Sequence, residues 1–198
     1  MVTKGEQTRD MIIRQAAVVF NSLGYFGTSM SDIMRETGLE KGGIYNHFRN
    51  KEELAVAAFE YAISLFSNRL EQEFKITRNA ADRLIAYARV FYDYYLDPDL
   101  PGGCPILNTA VESDDAQPVL REKARAAMSE LHDTICRIIR KGIERNEIRR
   151  EVDVESTTTI LVSMLEGALM LSRLYGDMSH LERTVQHVEA FVEENLRQ

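Results

Sequence analysis

The residues best suited to do chemistry lie between Thr28 and Lys51. Lys41, Gly42, Gly43, Tyr45, Asn46 and His47 crowd into seven positions, with Lys51 just beyond them. Cations and hydroxyls bind phosphate oxygens, an amide pairs bidentately with adenine, and a side chain as small as glycine lets backbone approach a base edge. The chemistry indicated is recognition of double-stranded DNA. Gly43, Tyr45 and Asn46 are expected near base edges, and Thr28, Lys41, Tyr45, His47 and Lys51 near phosphates. With Gly42 these form the candidate DNA-binding set. The competing reading is a solvated helix face with no partner.

The elements around these residues decide between the two. Ser29 precedes Met30, Ile33 and Met34, an apolar i, i+3, i+4 set, and Asp32 stands where a capping box needs its acceptor. Gly38 can take positive φ and stop that helix within one residue, and Leu39 then packs into the angle. A second helix is expected from about residue 40 to 48, burying Ile44 and Phe48. A helix so short is unstable alone and must be held by neighbours. The pattern is a helix-turn-helix whose second helix is presented to a groove. A first helix from Thr8 to Leu23, ended by Gly24, completes a three-helix unit. Phe20 and Phe26 are expected to pack on Ile33, Ile44 and Phe48.

Thr28, Gly38-Leu39, Lys41-Gly42, Tyr45, His47-Phe48 and Lys51-Glu52-Glu53-Leu54 together resemble the signature of TetR-type transcriptional regulators. The motif, residues 28–54, covers about one-seventh of the chain. One position departs from it: Glu40 opens the recognition helix where the family usually has Ser or Thr, and Glu is a weaker N-cap. The resemblance implies a ligand-responsive regulator, most often a repressor, with an effector pocket in the body and a homodimer built from the two C-terminal helices. It implies a palindromic operator as the DNA partner.

The remaining chain fits an all-α protein. Hydrophobic residues make up 44% of 198 and the formal net charge is -7. Residues 1 to 51 carry Lys4, Arg9, Arg14, Arg35, Lys41, Arg49 and Lys51 against Glu6, Asp10, Asp32, Glu36 and Glu40, a net +2, which leaves -9 for the rest. A mildly basic head on an acidic body suits a DNA reader that does not bind along its whole surface. Neither a leader nor a membrane-spanning run is read, so the expected location is cytoplasmic, with no membrane partner. The expected organisation is an N-terminal three-helix helix-turn-helix domain, residues 1–50, and a C-terminal helical effector-binding and dimerisation domain, residues 51–198. The helix starting at Lys51 would belong to both.

In the body, Tyr87, Phe91 and Tyr94 fall at i, i+4, i+7 beside Tyr95, and Met128, Met164 and Leu165 can face them. With Cys104 these make eight residues that are either ordinary core or the wall of an effector pocket. Cys104, in a Gly-Gly-Cys-Pro turn, is either a small buried side chain or a thiol activated at a helix start. None of the four histidines has Glu three residues before it, so no di-metal bundle is expected, and no other metal or cofactor. Nucleophile-elbow, phosphate-loop and dinucleotide patterns are absent, so no enzyme is expected. The alternative from another class is an all-α carrier or enzyme that keeps the helix-turn-helix as scaffold.

Overall fold

The computed structural model describes residues 3–96, 100–113 and 117–198. The sequence also predicts a loop from Asp97 to Gly103 and a break at Asp114, Asp115 and Pro118; residues 97–99, 114 and 115 of these lie outside the described residues. Nine α-helices follow one another among the described residues: α1 Lys4–Gly27, α2 Met30–Thr37, α3 Lys41–Tyr45, α4 Lys51–Ile76, α5 Ala80–Tyr95, α6 Pro105–Glu112, α7 Pro118–Glu144, α8 Val154–Tyr175 and α9 Ser179–Phe191. A wider-turn segment, Val192–Leu196, extends α9. Two compact units emerge from the packing, residues 1–65 with 97–126, and residues 66–96 with 127–198. They are drawn differently from the division expected from the sequence at residues 50/51, because α4 begins in the first unit and ends in the second.

In the first unit, α1 starts at Lys4, four residues earlier than the expected start at Thr8. Thr3 accepts from the backbone N–H of Glu6, and the Glu6 carboxylate accepts from the backbone N–H of Thr3 at 2.7 Å, closing a capping box. The same device opens α2, as the sequence indicates. Ser29 accepts from the Asp32 N–H, and Asp32 accepts from the Ser29 N–H at 2.9 Å. Ile12, Ala16, Ile33, Ile44, Phe48 and Leu54 are all buried and form the core beneath the motif.

α1 is broken where the sequence places its end. Gly24 has φ 75° and ψ 170°, yet helical structure resumes to Gly27. The break orphans the N–H of Tyr25, which donates to Glu112 Oε2 of α6 at 2.7 Å. The carbonyl of the same residue accepts from Lys51 Nζ at the start of α4, and that ammonium also lies 4.2 Å from the centre of the Tyr25 ring. The Tyr25 main chain therefore ties α1, α4 and α6 together. Gly24 suits the positive φ, and a Cβ there, 1.7 Å from Glu112 Oε1, would displace the carboxylate that holds the Tyr25 N–H. Three residues earlier, Asn21 Nδ2 donates to the carbonyls of Pro101 and Gly103, both at 2.9 Å. Asn108 Nδ2 of α6 donates to Asn21 Oδ1 at 3.1 Å and to the Gly102 carbonyl at 2.8 Å.

The break also corrects one packing expectation. Phe26 does not join the motif core: it is 57% exposed and meets the edge of the Tyr25 ring at 5.5 Å, while Phe20 stacks on Tyr25 at 6.1 Å. The turn at Gly24 takes Phe26 off the face that carries Ile12, Ala16 and Val19.

In the second unit, α9 packs on α5 and α8. Leu181, Val185, Val188 and Val192 turn inward, as do Leu161, Leu165 and Leu169 of α8. α9 thus spends its apolar face inside the protomer. α8 keeps a second apolar face outward: Ile160, Leu171, Leu174 and Tyr175 are exposed. α8 is long and apolar enough to cross a membrane by length and composition, but 44% of that window is buried in the protein, as for a core helix.

Two expected outcomes follow from these geometries. The Ser29 hydroxyl and N–H, with Arg35 beside them, push the Asp32 carboxyl down to about 2. A carboxylate depressed in the folded state stabilises above its unfolded pKa, here near 3.8, and that contribution is lost as pH falls toward 2. Asp32→Asn should lower the melting temperature at neutral pH, and the two proteins should converge by about pH 2 in circular-dichroism melts. A constant offset at every pH would contradict this. Glu112→Ala strips the acceptor from the Tyr25 N–H and should cost about 1–3 kcal/mol in denaturant titration. Gly24→Ala should cost at least as much, since it adds backbone strain; unchanged stability in both would show that the break does not depend on this contact.

Candidate nucleic-acid interface

α2 ends at Gly38, which takes the left-handed conformation with φ 65°, and Thr37 Oγ1 donates back to the Ile33 carbonyl at 2.7 Å. The chain turns through Leu39 into α3. Regular α-helix covers only Lys41–Tyr45, but helical bonding continues, with the Phe48 N–H donating to the Ile44 carbonyl at 3.1 Å. The helix is thus shorter than the expected span of residues 40 to 48, with turn-type bonding carrying the rod on to Phe48. Glu40 occupies the N-cap and makes no capping hydrogen bond through its side chain. Ile44 and Phe48 are buried on the inner face, and the Arg9 guanidinium lies 4.9 Å from the centre of the Phe48 ring.

The outer face exposes Lys41, Gly42, Tyr45 and Asn46, with Tyr45 38% exposed. Lys41 Nζ lies 5.6 Å from the centre of the Tyr45 ring, one helical turn on, so a charge and a phenol stand side by side. A Cβ at Gly42 would meet nothing within 4 Å, which leaves bare backbone on the surface. Gly43 differs: its missing Cβ points at Leu39, 3.5 Å away, and it serves the packing of the turn. His47 is half-buried.

Two residues expected on phosphates are less open than that role suggests. Thr28 is 2% exposed, and its hydroxyl donates to the Gly24 carbonyl at 2.6 Å. The break in α1 leaves that carbonyl in need of a donor, and Thr28 supplies it. Lys51 is half-buried and already bonded to Tyr25. Burial lowers its pKa and the Glu112 carboxylate opposes that shift. Burial, aided by Glu52, raises that of the Tyr25 phenol. Either residue can reach a phosphate only by giving up or sharing its internal bond.

Beside this knot lies a cavity of about 40 Å³, lined by Phe20, Tyr25, Phe59, Asn108, Glu112 and their neighbours. None of the eight residues named as effector contacts lines it. Tyr87, Phe91, Tyr94 and Leu165 are buried, and Tyr95, Met128 and Met164 are half-buried, in the second unit. Phe66 of α4 closes the aromatic group, edge-on to Tyr87, Phe91 and Tyr94 at 6.2, 6.3 and 5.3 Å. Cys104 belongs to the first unit, where it caps α6 by accepting from the Leu107 N–H at 3.4 Å. Glu112, Asn21 and Asn108 were not expected to matter. Asn21 carries a local signal, an amide four residues after Ala17 on an apolar face. Glu112 carries none, because its partner is 87 positions away.

Comparison with known proteins agrees with this geometry. Residues 12–58 match the family model described as bacterial regulatory proteins, tetR family. Residues 80–188 match that of the tetracyclin repressor-like C-terminal domain. A crystal structure of a TetR transcriptional regulator from Chloroflexus aurantiacus is 45% identical, with 98% of each chain covered and a TM-score of 0.92. A TetR-family regulator from Cytophaga hutchinsonii is 32% identical, covering 100% of this chain and 99% of its own, with a TM-score of 0.88. The same fold, at 18% identity, TM-score 0.81 and 93% and 95% coverage, occurs in a cysteine-substituted TetR-family regulator, CifR, complexed with a 26-bp double-strand operator DNA. The chain belongs to the TetR family of helix-turn-helix, DNA-binding transcriptional regulators.

Proposed function

We propose that the protein is a cytoplasmic repressor that binds a palindromic operator as a homodimer and leaves it when a small molecule enters the body. The observation that carries the reading is the outer face of the rod from residue 40 to 48. It is held from below by Ile44 and Phe48, and it offers Lys41, Gly42, Tyr45 and Asn46 outward without engaging them in the fold. Lys41 supplies charge to the phosphates, Tyr45 a hydroxyl, and Asn46 an amide that fits adenine. The dimer reading is supported by the outward stripe of Ile160, Leu171, Leu174 and Tyr175, and by Gly167, whose missing Cβ would meet nothing within 4 Å. Such an apolar stripe is costly to leave in water and suits a copy of itself across a two-fold axis. That stripe belongs to α8; in a bundle of the two C-terminal helices, α9 contributes the more polar side.

The effector has two supported positions. One is the aromatic group of Tyr87, Phe91, Tyr94 and Tyr95, with Met128, Met164 and Leu165, where rings that touch one another must part to admit a ligand. The cavity beside Glu112 favours a second. It has room for water as it stands, and a larger guest would press on the residue that holds the Tyr25 N–H. Either position acts through α4, whose first residue, Lys51, is bonded to the end of α1.

The test is binding to duplex DNA from the chain's own upstream region. Tyr45→Ala should weaken affinity at least tenfold with little change in melting temperature, because the ring is already part-exposed. Wild-type affinity should fall steeply with salt, at about 0.9 log unit per log unit of salt for each phosphate neutralised. An all-α carrier would show no salt-dependent binding, and unchanged affinity in Tyr45→Ala would remove the outer face of the rod from the reading.

A further inference from the structure

The second unit brings together three metal-ligating side chains. His132 and Cys136 lie four residues apart on α7, one helical turn, and Glu155 sits in the first turn of α8. Cys136 Sγ is 3.6 Å from His132 Nδ1 and 3.7 Å from Glu155 Oε1. Their ligand atoms all lie within 4.8 Å of one another. With zinc–sulfur bonds of about 2.3 Å and zinc–nitrogen or zinc–oxygen bonds of about 2.0–2.1 Å, the sulfur-bearing edges of a tetrahedral site measure about 3.5 Å. The two measured edges match that figure. The geometry points to a zinc(II) site formed by His132 Nδ1, Cys136 Sγ and Glu155 Oε1.

The surroundings suit an ion better than a nucleophile. The thiol is 1% exposed and forms the floor, while the imidazole is part-exposed and the carboxylate open to water. The exposed Glu155 carboxylate gives a hydrated cation its first contact with the site. Arg140 donates to Glu155 Oε1 at 2.6 Å and orients the carboxylate, and Thr158 Oγ1, fully buried, lies 3.3 Å from the sulfur. Three protein ligands leave the fourth position to water. On binding, the Cys136 thiol loses its proton to solvent, the thiolate gives its electron pair to the metal, and the ion pins α7 to the start of α8. A thiolate, an imidazole and a carboxylate together favour zinc over magnesium or calcium. No di-metal motif is involved, so the lack of Glu three residues before any histidine has no bearing on this site.

The test uses the full-length protein stripped by a chelator and titrated with cobalt(II), then zinc(II). One equivalent of cobalt per chain should give a sulfur-to-cobalt charge-transfer band that zinc abolishes. Cys136→Ser should lose the band, Glu155→Gln should weaken binding at least tenfold, and Cys104→Ser should behave as wild type. Circular dichroism checks that each variant is helical. Should Cys136→Ser misfold, Glu155→Gln, altered at an exposed side chain, carries the decision. Absence of the band in the wild type, its survival in folded Cys136→Ser, full-strength binding in Glu155→Gln, or its loss in Cys104→Ser would overturn the assignment.

Discussion

The main chain of Tyr25 is the constraint on which the DNA-reading head depends. Once Gly24 leaves helical conformation, the N–H of Tyr25 has lost its partner within α1 and its carbonyl lies open. Glu112 of α6 accepts from the first, and Lys51 of α4 donates to the second. A buried backbone donor without a partner costs about as much as a lost hydrogen bond, so the three helices hold together or the break is expensive. The helix-turn-helix follows directly after this knot, with Thr28 closing the last open carbonyl of the break. Its placement is therefore set in part by a side chain from far beyond the motif, Glu112.

The recognition helix shows why such support is needed. It has five residues of regular helix, a first residue without a side-chain cap, and two consecutive glycines. By propensity it would not form alone. What holds it is burial of Ile44 and Phe48, which gives the inner face to the core and leaves the outer face free. Weak local preference suits this use, because residues that strengthen a helix by pairing with one another are unavailable to a partner. The contact between Lys41 and Tyr45 is compatible with this, since a stacked cation still presents its charge.

Much of this was legible in the chain itself, and the limits have physical causes. The capping box of Ser29 and Asp32, the left-handed Gly38 and the buried pair Ile44 and Phe48 depend on residues within a few positions of each other, and all are found. α8 likewise follows from local sequence, because its apolar run is long and Gly176 ends it. The burial of Thr28 and the exposure of Phe26 were not legible: both follow from a break whose acceptor, Glu112, lies far along the chain. The same holds for the second unit. Periodicity identifies Tyr87, Phe91 and Tyr94 as one face of α5 but does not show that Phe66 closes it. The meeting of His132 and Cys136 with Glu155 depends on how α7 and α8 are paired, which spacing within one helix does not encode.

A DNA reader with an outward apolar stripe on α8 makes a specific demand on its target. Two copies related by a two-fold axis, as proposed above, would meet two copies of the same short sequence in opposite orientation. Repeated selection of sites from a pool of random duplex DNA by the purified wild-type protein measures this directly. The account predicts enrichment of an inverted repeat whose half-site centres lie about one helical turn, or a whole multiple of it, apart. Enrichment of a single unpaired half-site would contradict the two-fold arrangement, and no enrichment over the starting pool would contradict sequence-specific recognition by the face of Lys41, Tyr45 and Asn46.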